Sequence, residues 1–273
     1  MAGSIAGKFR RIRRMATGDM HTVEPHERPE RFAMPNFDRA GELARAKTQL
    51  ERDFWNHDGR LIHKWLHYLP IHDRNLGQFK PGFPDGKGGW RPLRMLEIGV
   101  SGGGSLELWR KFLGPGAIIF GVDIDPRCAQ LDGPGASVRI GSQDDPAFLK
   151  SVVAEMGGVD VVIDDGSHLP RHQRASFDAL FGLVSEGGLY VIEDAQTSYW
   201  DHWNGGFRKP GSLVEIAKSL VDDMHGWYHK GRIERPMAQS EVGSVAFYDG
   251  IVVIEKRHRE RPASVHLGTD TRT

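Results

Sequence analysis

A single cysteine, Cys128, is all that 273 residues carry, which excludes an intramolecular disulfide framework and suits a reducing compartment. No apolar run approaches the roughly 20 residues needed to span a bilayer. Excess charge is missing too: 36 Lys and Arg balance 36 Asp and Glu. That balance argues against a polyanion as main partner, although local patches stay open. The opening MAGSIAGKFRRIRRM is basic but lacks the apolar core of a secretory signal. Cytoplasmic placement is expected, with neither nucleic acid nor membrane as partner. The basic cluster Lys8, Arg10, Arg11, Arg13 and Arg14 has no interleaved aromatics and reads as a solvated terminus rather than a binding arm. Internal repeats and low-complexity blocks are absent.

What is present falls into four segments. Residues 1–38 are irregular, broken by Pro25, Pro29 and Pro35. Residues 39–92 read as a helical extension and lid. A helical pattern over 39–69 breaks near Asp58-Gly59, with Leu61, Ile62, Trp65, Tyr68 and Leu69 on one apolar face, and a Gly- and Pro-rich loop follows from Pro70. Residues 93–257 form a core in which LRMLEIGV, AIIFGVDID, SVRIGS, VDVVID and GLYVIED are strands alternating with helices. The polar segment 258–273 reads as a flexible tail. Near the end, GSVAFYDGIVVIEKR holds two strand-like runs around Asp249-Gly250, a strong hairpin signal. The expected fold is α/β: a doubly wound, mostly parallel, seven-stranded sheet ending in an antiparallel hairpin. That pattern describes class I methyltransferases, which are Rossmann-like, better than dehydrogenases.

Val159–Asp194 carries the most chemistry. Two apolar runs end in acids, Asp164-Asp165 and Glu193-Asp194. Parallel strands deliver both pairs to one carboxyl edge, where ligands bind in such sheets. Converging carboxylates there suit a hard divalent cation. His168, on the turn after the first pair, is placed to act as a base. Isolated acid pairs are usually helix caps or ion-pair partners; two pairs flanking a histidine favour metal. Asp164 reads either as a neighbour of the cofactor or as a structural acid. His168 and His172 lie one helical turn apart, but no cysteine or H-E-x-x-H context supports zinc. His63 and His67 read as lid residues.

LEIGVSGGGS sets Glu97, Gly99, Ser101 and Gly103 at the first strand–helix junction. The dinucleotide fingerprint G-x-G-x-x-G cannot be laid on it, whereas a methyltransferase-type acidic-x-Gly loop can. Glycines there permit positive φ and close backbone approach. Asp123 ends the second strand and is placed to take two ribose hydroxyls, the alternative being a helix cap; Asp125 before Pro126 suits capping well. Gln143 and Asp144 follow the third strand, where an adenine edge would lie.

DVVIDDGSH followed by GGLYVIEDAQTSYW resembles the magnesium-dependent sugar O-methyltransferases that modify macrolide deoxysugars, such as the mycinamicin and tylosin enzymes. HKWLHYLPIHDRN, RMLEIGVSGGGSLELW and FYDGIVVIEK are similar to further segments of that family, so the likeness runs from about His63 to Lys256. It implies S-adenosyl-L-methionine and Mg2+ as cofactors, Asp165, Glu193 and Asp194 as metal ligands, and His168 as base. It also implies closure of Lys64, Trp65, His67 and Tyr68 over the cofactor, and it makes a homo-oligomer plausible. The family's N-terminal extension is much longer.

The implied reaction is methyl transfer to a sugar hydroxyl of a glycosylated natural product. A cation chelating two neighbouring hydroxyls would acidify and orient the attacking one, and a histidine with a pKa near neutrality would accept the proton. Gln196, Thr197, Tyr199 and Trp200, with Trp203, follow the second acidic pair and offer faces for stacking on a small-molecule glycoside; ordinary loop packing accounts for them equally well. Three alternatives stay open: a catechol-like phenol as acceptor, a noncatalytic subunit of the same fold, and a nicotinamide-dependent oxidoreductase, disfavoured by the missing fingerprint.

Overall fold

The apolar runs of the core become strands because they are short, β-branched and closed by glycine or acid. A computed structural model describes residues 38–230 and 236–269. In chain order, helices α1 (Arg39–Arg45), α2 (Gln49–Trp55) and α3 (Tyr68–Leu76) precede a two-residue ribbon, β1 (Phe83–Pro84) with β2 (Trp90–Arg91). The core then runs β3 (Arg94–Ile98), α4 (Gly104–Leu113), β4 (Ile118–Asp123), β5 (Ser137–Ile140), α5 (Pro146–Met156), β6 (Val159–Asp164), α6 (Pro170–Leu180) and β7 (Val184–Ile192). It closes with α7 (Leu213–Met224), α8 (Pro236–Glu241), β8 (Val242–Phe247) and β9 (Val252–Lys256).

The seven-stranded sheet has the order β5-β4-β3-β6-β7-β9-β8. Strands β5 to β7 are parallel, and β9 pairs antiparallel with both β7 and β8. Asp249-Gly250 makes the β8–β9 turn, with Gly250 at φ 74° and Tyr248 N donating to Ile251 O. The expected seven strands, their direction and the closing hairpin are all present. One face of the sheet packs Leu96, Val162 and Ile254 against α5, α6 and α7; the other packs Met95, Val161 and Val191 against α3 and α4. Every residue of β6 is buried, as a strand covered on both faces requires.

Register places the site. Ile98 pairs with Asp164, and Asp164 with Ile192, so three strands end in one row. The ladder runs one step further: Asp165 N donates to Ile98 O and Glu193 N to Asp164 O, each at 2.9 Å. The two acidic pairs therefore leave the sheet side by side.

The N-terminal reading needs correction. The helical pattern over 39–69 resolves into two short helices, the second capped by a Thr48–Glu51 box, and it stops at Trp55. Residues 56–67 form a strap without helix or strand apart from a turn at its end. The strap is drawn out of helical geometry by the body: Arg60 N donates to Glu107 Oε2, and Gly104 N to Leu61 O. Leu61 is 82% exposed and shares no buried face with Tyr68 and Leu69, which start α3. That helix passes through Pro70, where a loop was expected; proline is tolerated in a first turn, where its missing N–H would be unsatisfied anyway. The helix α7 lies in a stretch for which the sequence raised no expectation. At the start of the expected tail, Arg259 bonds Ser240 O through its amide N and Met224 O through its guanidinium. The basic cluster of residues 8–14 lies outside the described residues. No helix among the described residues is long and apolar enough to cross a membrane.

Candidate active site

A cavity of about 450 Å³ opens at the carboxyl edge, between the glycine loop, the strap and the two acidic turns. Gly99 has φ 94° and Gly103 φ 81°, and Ser101 adopts the left-handed region at φ 49°. At Gly99 a Cβ would sit 2.1 Å from Asp165 O, so only glycine lets the first loop pass the metal-side turn. Close approach at Gly102 and Gly104 is made by the chain itself: a Cβ there would meet Leu61 O at 2.7 and 2.6 Å.

Asp123 lines the cavity, and its Oδ2 accepts from Val100 N and Ser101 N at 2.9 Å. Its carboxylate braces the loop, while Asp125 caps the following turn through Arg127 N. Glu97 lies beneath the loop at 0% exposure, accepting from Ser105 Oγ and Trp109 Nε1, and does not line the cavity. Burial pushes its carboxyl up, with Lys64 pulling back. Gln143 lines the wall and ties Asp164 Oδ1 to Ser167 N. Asp144 is exposed outside it, 3.3 Å from His172 Nε2. Asp164 is a structural acid: fully buried, it accepts from Ser176, Gln143 and Tyr190.

Asp165, His168 and Asp194 bring ligand atoms within 4.8 Å of one another. Both His168 (φ 56°) and Asp194 (φ 53°) are left-handed, an uncommon backbone for these residues that collects at working sites. His168 Nε2 lies 3.5 Å from Asp194 Oδ2, and its Nδ1 is buried without a hydrogen-bond partner. Asp194 Oδ1 accepts from Trp65 Nε1, Tyr68 Oη and Gln196 Nε2 at 2.8–3.0 Å, which leaves Oδ2 toward His168. Burial, followed by the charge of Asp194, pushes the Tyr68 hydroxyl pKa up, so it remains a donor.

Glu193 stands outside that triangle. Both its oxygens lie 2.8 Å from Lys64 Nζ, which also donates to Asp165 Oδ2 at 2.5 Å, and His72 Nε2 is 3.1 Å from Oε1. Burial, then repulsion from Glu193, pushes the Asp165 carboxyl well up, against the pull of Lys64. On Glu193 burial is outweighed by Lys64 and His72, which hold it down at about 2. The pair thus resists carrying two charges at once.

Lys64, expected over the cofactor, lines the cavity, and its ammonium lies among the acids. Tyr68 orients Asp194 and does not line the cavity. His72, fully buried, was missed altogether, because a histidine inside an amphipathic run gives no sign of the carboxylate it meets 121 residues away. In the loop after Asp194, Gln196 belongs to the Tyr68–Asp194 network, and Thr197 is buried with its hydroxyl on Asp194 O. Tyr199 is half exposed, and Trp200 stacks on His202 at 5.9 Å. None of these four lines the cavity.

No family model matches the chain. Among curated proteins, it is 35% identical over 233 residues to the 8-demethyl-8-(2-methoxy-alpha-L-rhamnosyl)-tetracenomycin-C 3'-O-methyltransferase of Streptomyces olivaceus, covering 80% of this chain and 54% of that protein. It is 38% identical over 170 residues to the mycinamicin VI 2''-O-methyltransferase of Micromonospora griseorubida, covering 58% and 40%. The solved structure of the MycE methyltransferase from the mycinamycin pathway, in complex with Mg, SAH and mycinamycin VI, matches with TM-score 0.62 and 32% identity, over 77% of this chain and 53% of that one. The chain spans about half the length of the curated relatives it matches.

Proposed function

We propose, for a chain that is a relative of the macrolide-sugar and tetracenomycin-sugar O-methyltransferases over about half of their length, that it transfers a methyl group from S-adenosyl-L-methionine to a hydroxyl of a deoxysugar glycoside. The observation that carries this reading is the meeting of Asp165, His168 and Asp194 on the wall of one cavity with the Gly99–Gly103 loop. Carboxylate oxygens and a buried, unpartnered imidazole nitrogen fit a hard divalent cation with a base beside it. Mg2+, when bound, supplies Lewis-acid polarisation of an acceptor hydroxyl; Asp165 and Asp194 would hold it, with Glu193 adjacent.

The remaining work falls to side chains. The glycine loop offers backbone to the cofactor, and Asp123 keeps that loop in shape. Asp194, fixed by Trp65, Tyr68 and Gln196, lies beside His168 Nε2 and orients the ring on the cavity wall. His168 then takes the hydroxyl proton as the oxygen attacks the methyl carbon and the sulfonium leaves as a neutral thioether. Holding both reactants in one cavity supplies much of the rate. A lone cysteine supports a reducing, cytoplasmic setting.

The test is mass spectrometry of a panel of deoxysugar glycosides and catechols incubated with S-adenosyl-L-methionine, with magnesium or with chelator. A gain of one methyl on a glycoside that disappears with chelator is expected. Methylation confined to catechols would replace the acceptor class, and methylation that survives chelation would remove the metal.

A further inference from the structure

Lys64 brings a buried ammonium into this site. Its side chain is 3% exposed, with its ammonium on Asp165 Oδ2 and both oxygens of Glu193, and 4.0 Å from Glu97 Oε1. The atoms that converge for a metal come from Asp165, His168 and Asp194, without Glu193. A metal recruits Glu193 only by drawing an oxygen away from the ammonium, because two cations on one buried carboxylate repel strongly where water cannot screen them.

The chain can accommodate that exchange. Lys64 rides on the strap, between the main-chain ties of Arg60 N to Glu107 and Leu61 O to Gly104 N on one side and Trp65 O to Tyr68 N on the other. No helix or sheet ladder has to break for Lys64 to move. A lysine ammonium on a four-carbon stem leaves by rotamer change alone.

Resting on the metal-assisted reading above, we propose that Lys64 competes with the divalent cation for Glu193 and Asp165, and that metal binding displaces it. The ammonium then neutralises the acids of the metal-free protein, and metal affinity is scaled down to the fraction of molecules in which Lys64 is unseated.

Mn2+ serves as the probe, with binding followed by electron paramagnetic resonance in the full-length wild type and in Lys64→Met, alongside labelling of Lys64 by an amine-reactive reagent read by mass spectrometry. The expected result is roughly tenfold or more tighter Mn2+ binding in Lys64→Met. In wild type, labelling of Lys64 should rise on saturation with Mn2+, a readout independent of how the variant folds. Equal or weaker binding in Lys64→Met, or Lys64 equally protected with Mn2+ bound, overturns the competition while leaving the metal site standing. Absence of Mn2+ binding in both proteins overturns the metal reading itself.

Discussion

At the residue scale, left-handed backbone at Gly99 and His168 holds the chemistry in place. Gly99 lies against Asp165 O, where a methyl group would overlap backbone. Gly99→Ala is expected to cost about 2–3 kcal/mol from positive φ and overpacking and to weaken cofactor binding; thermal melts and calorimetry check both. His168 tests the base. Asparagine tolerates the left-handed backbone that His168 adopts, so His168→Asn preserves the turn. It is expected to lower turnover by about 10²–10⁴-fold, the usual share of a general base, with S-adenosyl-L-methionine affinity retained. Single-turnover methyl transfer that persists in this variant would remove the base role.

Elements are held at the opposite end of the sheet by a network the function does not use. Asp160, fully buried in β6, accepts two guanidinium bonds from Arg91 at 2.6 Å, backbone and side-chain bonds from Arg94, and one from Ser185. Burial alone would raise its pKa; these partners outweigh it and hold the carboxyl below its ordinary range. A depressed folded pKa stabilises the fold above the unfolded value near 4 and loses that stabilisation as pH falls through the folded pKa. Asp160→Asn is expected to cost about 3 kcal/mol, the low end for a buried pair because both guanidiniums reach solvent. Acid melts of the variant should lose less stability than wild type below pH 4. Identical acid sensitivity would show that other carboxylates govern acid unfolding.

For the whole molecule, the decisive arrangement is the convergence of the glycine loop, the strap and the two acidic turns on one cavity. Removing divalent metal is expected to abolish methyl transfer and to restore it on addition of Mg2+, measured as methyl gain on a glycoside. It should leave the melting transition within a few degrees, because the acids of the site are partly neutralised by Lys64. A large loss of stability on chelation would instead make the metal a structural element.

The strands, the parallel edge, the hairpin at Asp249-Gly250 and the meeting of two acidic pairs were all legible in the chain. Each depends on a pattern a few residues long: β-branched runs, a turn dipeptide, acids at strand ends. The motifs set Asp165, His168, Glu193 and Asp194 at that edge for the same reason, while the grouping of Asp165, His168 and Asp194 apart from Glu193 was not legible. The strap and its lysine were not legible. The pattern shows a break near Asp58-Gly59, but beyond it residues 60–67 stay out of helix against Gly102, Gly104 and Glu107 where a helix was expected. Lys64 meets Asp165 and Glu193 across 101 and 129 residues. Local sequence determined which elements form, because backbone sterics and side-chain period act within a turn or a strand. Tertiary packing decided which charges share the cavity, because desolvation and Coulomb energy depend on distances in space and not on positions along the chain.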